Sequence, residues 1–122
     1  MNSNTLLPAV LEFINTPKSH FIDGEYLLSQ SPEILEVVNP HTEEVFAKLP
    51  LGDINDLNQA VESSFKAFQS WRDTAPATRQ DLLFRFADKL AENRELLAQL
   101  EVLSTGKNIN VARFEVDQSV AF

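Results

Sequence analysis

His20-Phe21-Ile22-Asp23-Gly24-Glu25-Tyr26-Leu27 is the stretch on which the fold turns. Two short apolar runs flank Asp23-Gly24, and Asp-Gly suits a two-residue hairpin loop because both of its positions adopt positive φ. A second strand pair is expected next. Ile34, Val37 and Val38 are β-rich, Asn39-Pro40-His41-Thr42 reads as a loop, and Val45 to Leu49 returns. Upstream, Leu6, Leu7, Val10, Leu11 and Ile14 share a face at helical spacing and predict a short amphipathic helix over residues 5–15. Thr16-Pro17 ends it, since proline disfavours helical geometry in the residue before it.

From Asp53 onward the apolar period changes from two to 3.6. Asp53 can cap a helix, and Asp56 three residues on complements the positive end of its dipole. Leu57, Ala60, Val61, Phe65, Phe68 and Trp71 then form one stripe, predicted to be core. Thr74 to Pro76 opens another helix, with Leu82, Leu83, Phe86, Ala87 and Leu90 as its buried face. Asn93 is placed as the cap of a third, carrying Leu96, Leu97, Leu100 and Leu103, and Gly106 stops it in a left-handed conformation. A fourth begins after Lys107, with Val111, Phe114, Val116 and Val120, and runs to Phe122 without a stop signal. The layout is a short helix, antiparallel hairpins and three to four amphipathic helices, divided as an extension over 1–19 and a main segment over 20–122. Hairpins are marginal without a covering layer, and the last helix is expected to pack on something further along.

Composition narrows the function classes. A hydrophobic fraction of 43% and a charged fraction of 23% are ordinary for a globular chain. The formal charge of −8 argues against a nucleic-acid partner, because phosphate binding requires clustered Lys and Arg. No apolar run approaches the ~20 residues of a membrane span. Met1-Asn2-Ser3-Asn4 lacks the positive charge of a secretory signal, so a cytoplasmic location is expected. With no cysteine in 122 residues there is no thiolate for a disulfide, a metal or a nucleophile.

The individual residues that invite a functional reading have plainer ones. His20 and His41 lack a partner at metal-ligand spacing and are read as loop histidines. Trp71, Phe65 and Phe68 recur at helical spacing, which favours core packing over an aromatic box. Gly106-Lys107 resembles the end of a phosphate loop, but the upstream glycine is missing and a helix C-cap explains it. Asp23 and Glu25 flank a turn and are expected in solvent.

Five segments in series resemble the N-terminal part of the aldehyde dehydrogenase superfamily. Phe21-Ile22-Asp23-Gly24-Glu25-Tyr26 is similar to its F-I-[DGN]-G-[EK]-[WY] hairpin, and Val37 to Glu44 is similar to V-x-N-P-x-T-G-E. Ala60-Val61 through Ala67-Phe68 to Trp71, Arg79 to Asn93, and Leu100-Glu101-Val102-Leu103-Ser104-Thr105-Gly106-Lys107 follow in the family's order. The resemblance implies an α/β fold, α+β as an isolated piece. Two departures stand out. Glu43 occupies the position of the family's turn glycine, so the loop is expected to close differently. Ser104 stands where an acidic residue is common beside a structural monovalent cation, and Val38 offers only a backbone carbonyl, so the resemblance does not carry that site over.

The same resemblance implies NAD(P)⁺-dependent oxidation of an aldehyde to a carboxylic acid. A cysteine thiolate adds to the carbonyl, hydride leaves to the nicotinamide, and a glutamate activates water to release the acyl group. None of those parts is found here. The three glycines, Gly24, Gly52 and Gly106, are isolated and make no phosphate loop. No catalytic, cofactor-binding or metal-ligating residue is therefore assigned, and the chain alone is expected to be inactive and to bind neither NAD nor NADP. The expected partners are the remainder of the dehydrogenase or full-length subunits, in a homo-oligomer. The alternative is a short non-catalytic binding or assembly protein derived from the same N-terminus. Aldehyde selectivity and the choice of NAD or NADP lie downstream of the matched region.

Overall fold

The computed structural model describes residues 6–29 and 31–121; the sequence readings at Met1–Asn4, Thr5 and Phe122 fall outside them. Helix α1 (Pro8–Asn15) leads into strands β1 (His20–Ile22) and β2 (Glu25–Leu27), then β3 (Ile34–Asn39) and β4 (Glu44–Pro50). Helices α2 (Ile54–Trp71), α3 (Pro76–Glu92), α4 (Arg94–Thr105) and α5 (Ile109–Ala121) follow. After α1 the small antiparallel sheets precede the four longer helices in the chain, the α+β layout expected of this piece.

β1 and β2 pair antiparallel, with His20 opposite Leu27 and Ile22 opposite Glu25. Asp23 and Gly24 turn the chain with φ of 55° and 81°, the double positive geometry that Asp-Gly supplies. β3 and β4 form a separate antiparallel pair, in which Val37 faces Ala47 and Val38 faces Val45. Phe46 is the extra residue, so the ladder carries a bulge there. Glu43 adopts φ 60° and its N–H donates to the carbonyl of Asn39 at 2.8 Å. Glu43 thus takes the left-handed conformation that glycine would adopt without strain.

The core is centred on α4, which touches α1, β3, α3 and α5. Ala98, Gln99 and Leu103 are buried on it, and Val10 of α1 and Ala112 of α5 complete the cluster. Gln99 is a polar core residue with a purpose. Its side-chain oxygen accepts from the Leu7 N–H at 2.9 Å, satisfying a free amide at the start of α1. On α5 the inward residues are Ile109, Ala112, Arg113, Val116 and Val120, spaced by three and four. Val111 and Phe114, placed on that stripe from sequence, instead face solvent.

The predicted stripes of α2 and α3 need a larger correction. Leu57, Val61, Phe65, Phe68 and Trp71 of α2 and Leu82, Leu83 and Phe86 of α3 are all exposed, Phe65 at 68% and Leu83 at 65%. The periodicity correctly located both helices, but a stripe is buried only where another element comes to cover it. α3 rests on α4 and α5, whereas α2 packs on β1. Asn93, expected to cap α4 through its side chain, makes no such bond. Its amide donates back to the Lys89 carbonyl at 2.9 Å, closing the end of α3.

Candidate functional site

Two places bring sequence-distant polar groups together. The first lies where the β1–β2 hairpin meets the start of α2. The Asp53 side chain accepts from the N–H groups of Asn55 at 2.7 Å and Asp56 at 3.0 Å. Asp56 returns the bond, its Oδ2 accepting from the Asp53 N–H at 2.9 Å, which completes a capping box with aspartate in place of the usual glutamate. The same oxygen accepts from Ser29 Oγ–H at 2.5 Å, and His20 Nε2 lies 3.9 Å away. Sequence reading left His20 as a loop histidine without a carboxylate. It is a strand residue whose Nε2 is buried without a hydrogen-bond partner, beside Asp56, 36 positions along the chain. No spacing rule reveals that pair, because the chain reversal through β3–β4 creates it.

The chemistry of this cluster is structural. Donation from Ser29, then from the Asp53 N–H, and the nearby His20 hold the Asp56 carboxyl below the ordinary carboxylate range. A carboxylate so held is a weak base toward the Ser29 hydroxyl that donates to it. The pair of carboxylates also fills the amide-rich end of α2, the place where a phosphate would otherwise bind. Gly24 and Gly106 serve a hairpin turn and a helix C-cap.

The second place is the end of α4. Gly106 has φ 74° and its N–H returns to the Val102 carbonyl at 2.9 Å, the left-handed C-cap expected from sequence. The Asn39-Pro40 loop lies directly against it, and Asn39 is buried with its side-chain oxygen accepting from the His41 N–H at 3.0 Å. Lys107 is anchored between Glu101 at 2.7 Å and Glu115 at 2.6 Å, joining α4 to α5, and both partners raise its pKa. Those pairs give Lys107 a structural role at this corner. Ser104 Oγ–H donates to the Leu100 carbonyl at 3.0 Å, and Val38 is half exposed on β3. Among the described residues, no group of three or more His, Asp or Glu is placed to hold a metal ion. His41 is exposed. Asp23 and Glu25 are also exposed, although Asp23 Oδ1 accepts a long bond from Ser63 at 3.4 Å.

Two ion pairs between helices complete the polar architecture. Arg113 of α5 bonds Glu95 of α4 through two nitrogens, each at 2.8 Å, and Arg94 of α4 makes a two-nitrogen pair with Asp117 of α5. The planar fork of arginine suits both. Neither pair was foreseen, since partners 18 and 23 residues apart meet only when α4 and α5 fold antiparallel.

The sequence profile of the aldehyde dehydrogenase family matches residues 26–122. The chain belongs to that family. It is 37% identical over 101 residues to a malonate-semialdehyde dehydrogenase of Bacillus velezensis, covering 83% of this chain and 21% of that protein. It is 38% identical over 109 residues to a phenylacetaldehyde dehydrogenase of Pseudomonas fluorescens, covering 88% of this chain and 22% of that one. Among solved structures, an aldehyde dehydrogenase of Bacillus cereus in complex with NAD⁺ superposes with a TM-score of 0.88 at 36% identity, over 94% of this chain and 24% of that one. A betaine aldehyde dehydrogenase of Staphylococcus aureus, also with NAD⁺, gives 0.82 at 30% identity, over 89% and 22%. The chain thus spans about a fifth of the length of the curated relatives it matches. Its hairpins, Asn39-Pro40 loop and helices are those of the aldehyde dehydrogenase N-terminal segment. Among the described residues no helix is long and apolar enough to cross a membrane.

Proposed function

We propose that this chain serves as the N-terminal segment of an NAD(P)⁺-dependent aldehyde dehydrogenase and contributes scaffold without chemistry. In this reading the thiolate, the general base and the dinucleotide site are supplied by the remainder of the polypeptide, and NAD or NADP accepts hydride there. The observation that carries it is the pairing of near-complete coverage of this chain with 24% coverage of the Bacillus cereus enzyme, at a TM-score of 0.88. The absence of cysteine supports the division of labour, because the family's covalent step requires a thiolate. The partners are the rest of the dehydrogenase and, in a homo-oligomer, further full-length subunits; the location is cytoplasmic.

An antibody against residues 20–50 tests this on the native product. A band several times heavier than 13.7 kDa supports a segment of a whole dehydrogenase. A band near 13.7 kDa rejects it in favour of a short non-catalytic assembly protein.

A further inference from the structure

The buried Gln99 amide has a donor end and an acceptor end, and the fold uses both. Its Oε1 accepts from the Leu7 N–H at 2.9 Å, and its Nε2 donates to Glu95 Oε1 at 3.1 Å, one turn back along α4. The same Glu95 oxygen accepts from Arg113 Nη2 at 2.8 Å, and Glu95 Oε2 accepts from Arg113 Nε at 2.8 Å. A continuous chain of hydrogen bonds thus runs from α5, across α4, to the amide that opens α1. Leu7 is the N-cap residue of α1 and provides no side-chain cap, so this amide depends on what α4 offers it.

The chain has a direction. An ionised carboxylate only accepts hydrogen bonds. Donation from Arg113 is the main cause holding the Glu95 carboxyl below its ordinary range, so Glu95 stays ionised. The Gln99 nitrogen must then face Glu95, which leaves its oxygen for Leu7. A reversed amide would set donor against donor at Leu7 and acceptor against acceptor at Glu95, inside the core.

We propose that Arg113 is a positioning residue for the N-terminal helix, acting through Glu95 to fix the Gln99 amide in the orientation that holds Leu7. α1 is then a strap across α4 and β4 whose first amide is secured from α5. Arg113 itself bonds Glu95 and Asn110, so its hold on α1 is indirect.

The test reads amide exchange at Leu7 by NMR in the 122-residue chain. Arg113→Leu should speed it about fivefold, the weight of one net hydrogen bond. Arg94→Leu is the control, because Arg94 joins the same two helices through Asp117. It should loosen α5 amides and leave Leu7 unchanged. Glu95→Gln keeps the side-chain size, yet its amide can donate to Gln99 and so permits the reversed orientation. It should reproduce the Arg113→Leu effect, and it serves if the arginine variant does not fold. With Gln99→Leu already in place the acceptor is gone, and neither substitution should move Leu7 further. Two results overturn the proposal: Leu7 exchange unmoved by the Arg113 and Glu95 variants, or raised equally by Arg94→Leu, which would reduce Arg113 to a general clamp between α4 and α5.

Discussion

A β-carbon placed on Gly106 would lie 3.0 Å from Pro40 Cγ, so the α4 C-cap and the Asn39-Pro40 loop, 66 positions apart, are in direct contact. Gly106 is constrained twice, by its φ of 74° and by the proline ring. Gly24 has a similar φ of 81° with nothing within 4 Å of its missing β-carbon. The left-handed backbone costs an L-residue about 1–2 kcal/mol. Gly24→Ala should therefore lose about that much in urea unfolding, and Gly106→Ala clearly more. Equal losses would mean that the Pro40 ring yields freely.

Glu43 carries the same backbone cost without glycine's exemption. Its φ of 60° should be relieved by Glu43→Gly, offset by the greater entropy of glycine in the unfolded chain, about 0.5–1 kcal/mol. The expected net is a gain of about 0.5 kcal/mol, read as a higher urea midpoint at unchanged slope. A lower midpoint would show that the Glu43 side chain contributes more than its backbone costs.

Burial separates two kinds of apolar residue in this chain. Leu103 is 4% exposed, and Leu103→Ala should cost about 2–5 kcal/mol. Phe68 is 52% exposed, and Phe68→Ala should stay within about 0.5 kcal/mol in the isolated chain. The same holds for Leu83→Ala. A large loss at Phe68 would place α2 against the core.

Acid should loosen the fold through specific carboxylates. Donation from Ser29 lowers the pKa of Asp56, donation from Arg113 lowers that of Glu95, and donation from Arg94 lowers that of Asp117. A depressed folded pKa means the unfolded chain binds protons first as pH falls. The stabilisation is complete above the ordinary carboxylate range, about pH 4, and disappears as pH drops through the folded values. Urea midpoints should be flat down to about pH 5 and then fall, and Asp56→Asn should shallow that fall. An unchanged slope in the variant would remove Asp56 from the acid response.

The purified chain should form no NADH from any aldehyde, because its 122 residues include no cysteine to add to a carbonyl. Aldehyde-dependent turnover that persists through repeated purification would overturn the proposed division of labour.

Local rules were sufficient for the elements themselves. Asp23-Gly24 specifies its turn, Asp53 with Asp56 caps α2, Pro76 begins α3 and Gly106 ends α4, each through the conformational preference or hydrogen-bonding reach of residues a few positions apart. The ordered segments from Phe21 to Lys107 also carried the family and the missing thiolate. Tertiary structure decided which apolar stripes are covered, that Glu43 adopts a left-handed conformation, and that His20, Ser29 and Asp56 share one corner. The reason is physical: a period of 3.6 says that a helix has an apolar side, while burial of that side depends on what stands opposite it. For α4 that neighbour lies within this chain, whereas α2 packs on β1 and its apolar stripe stays exposed.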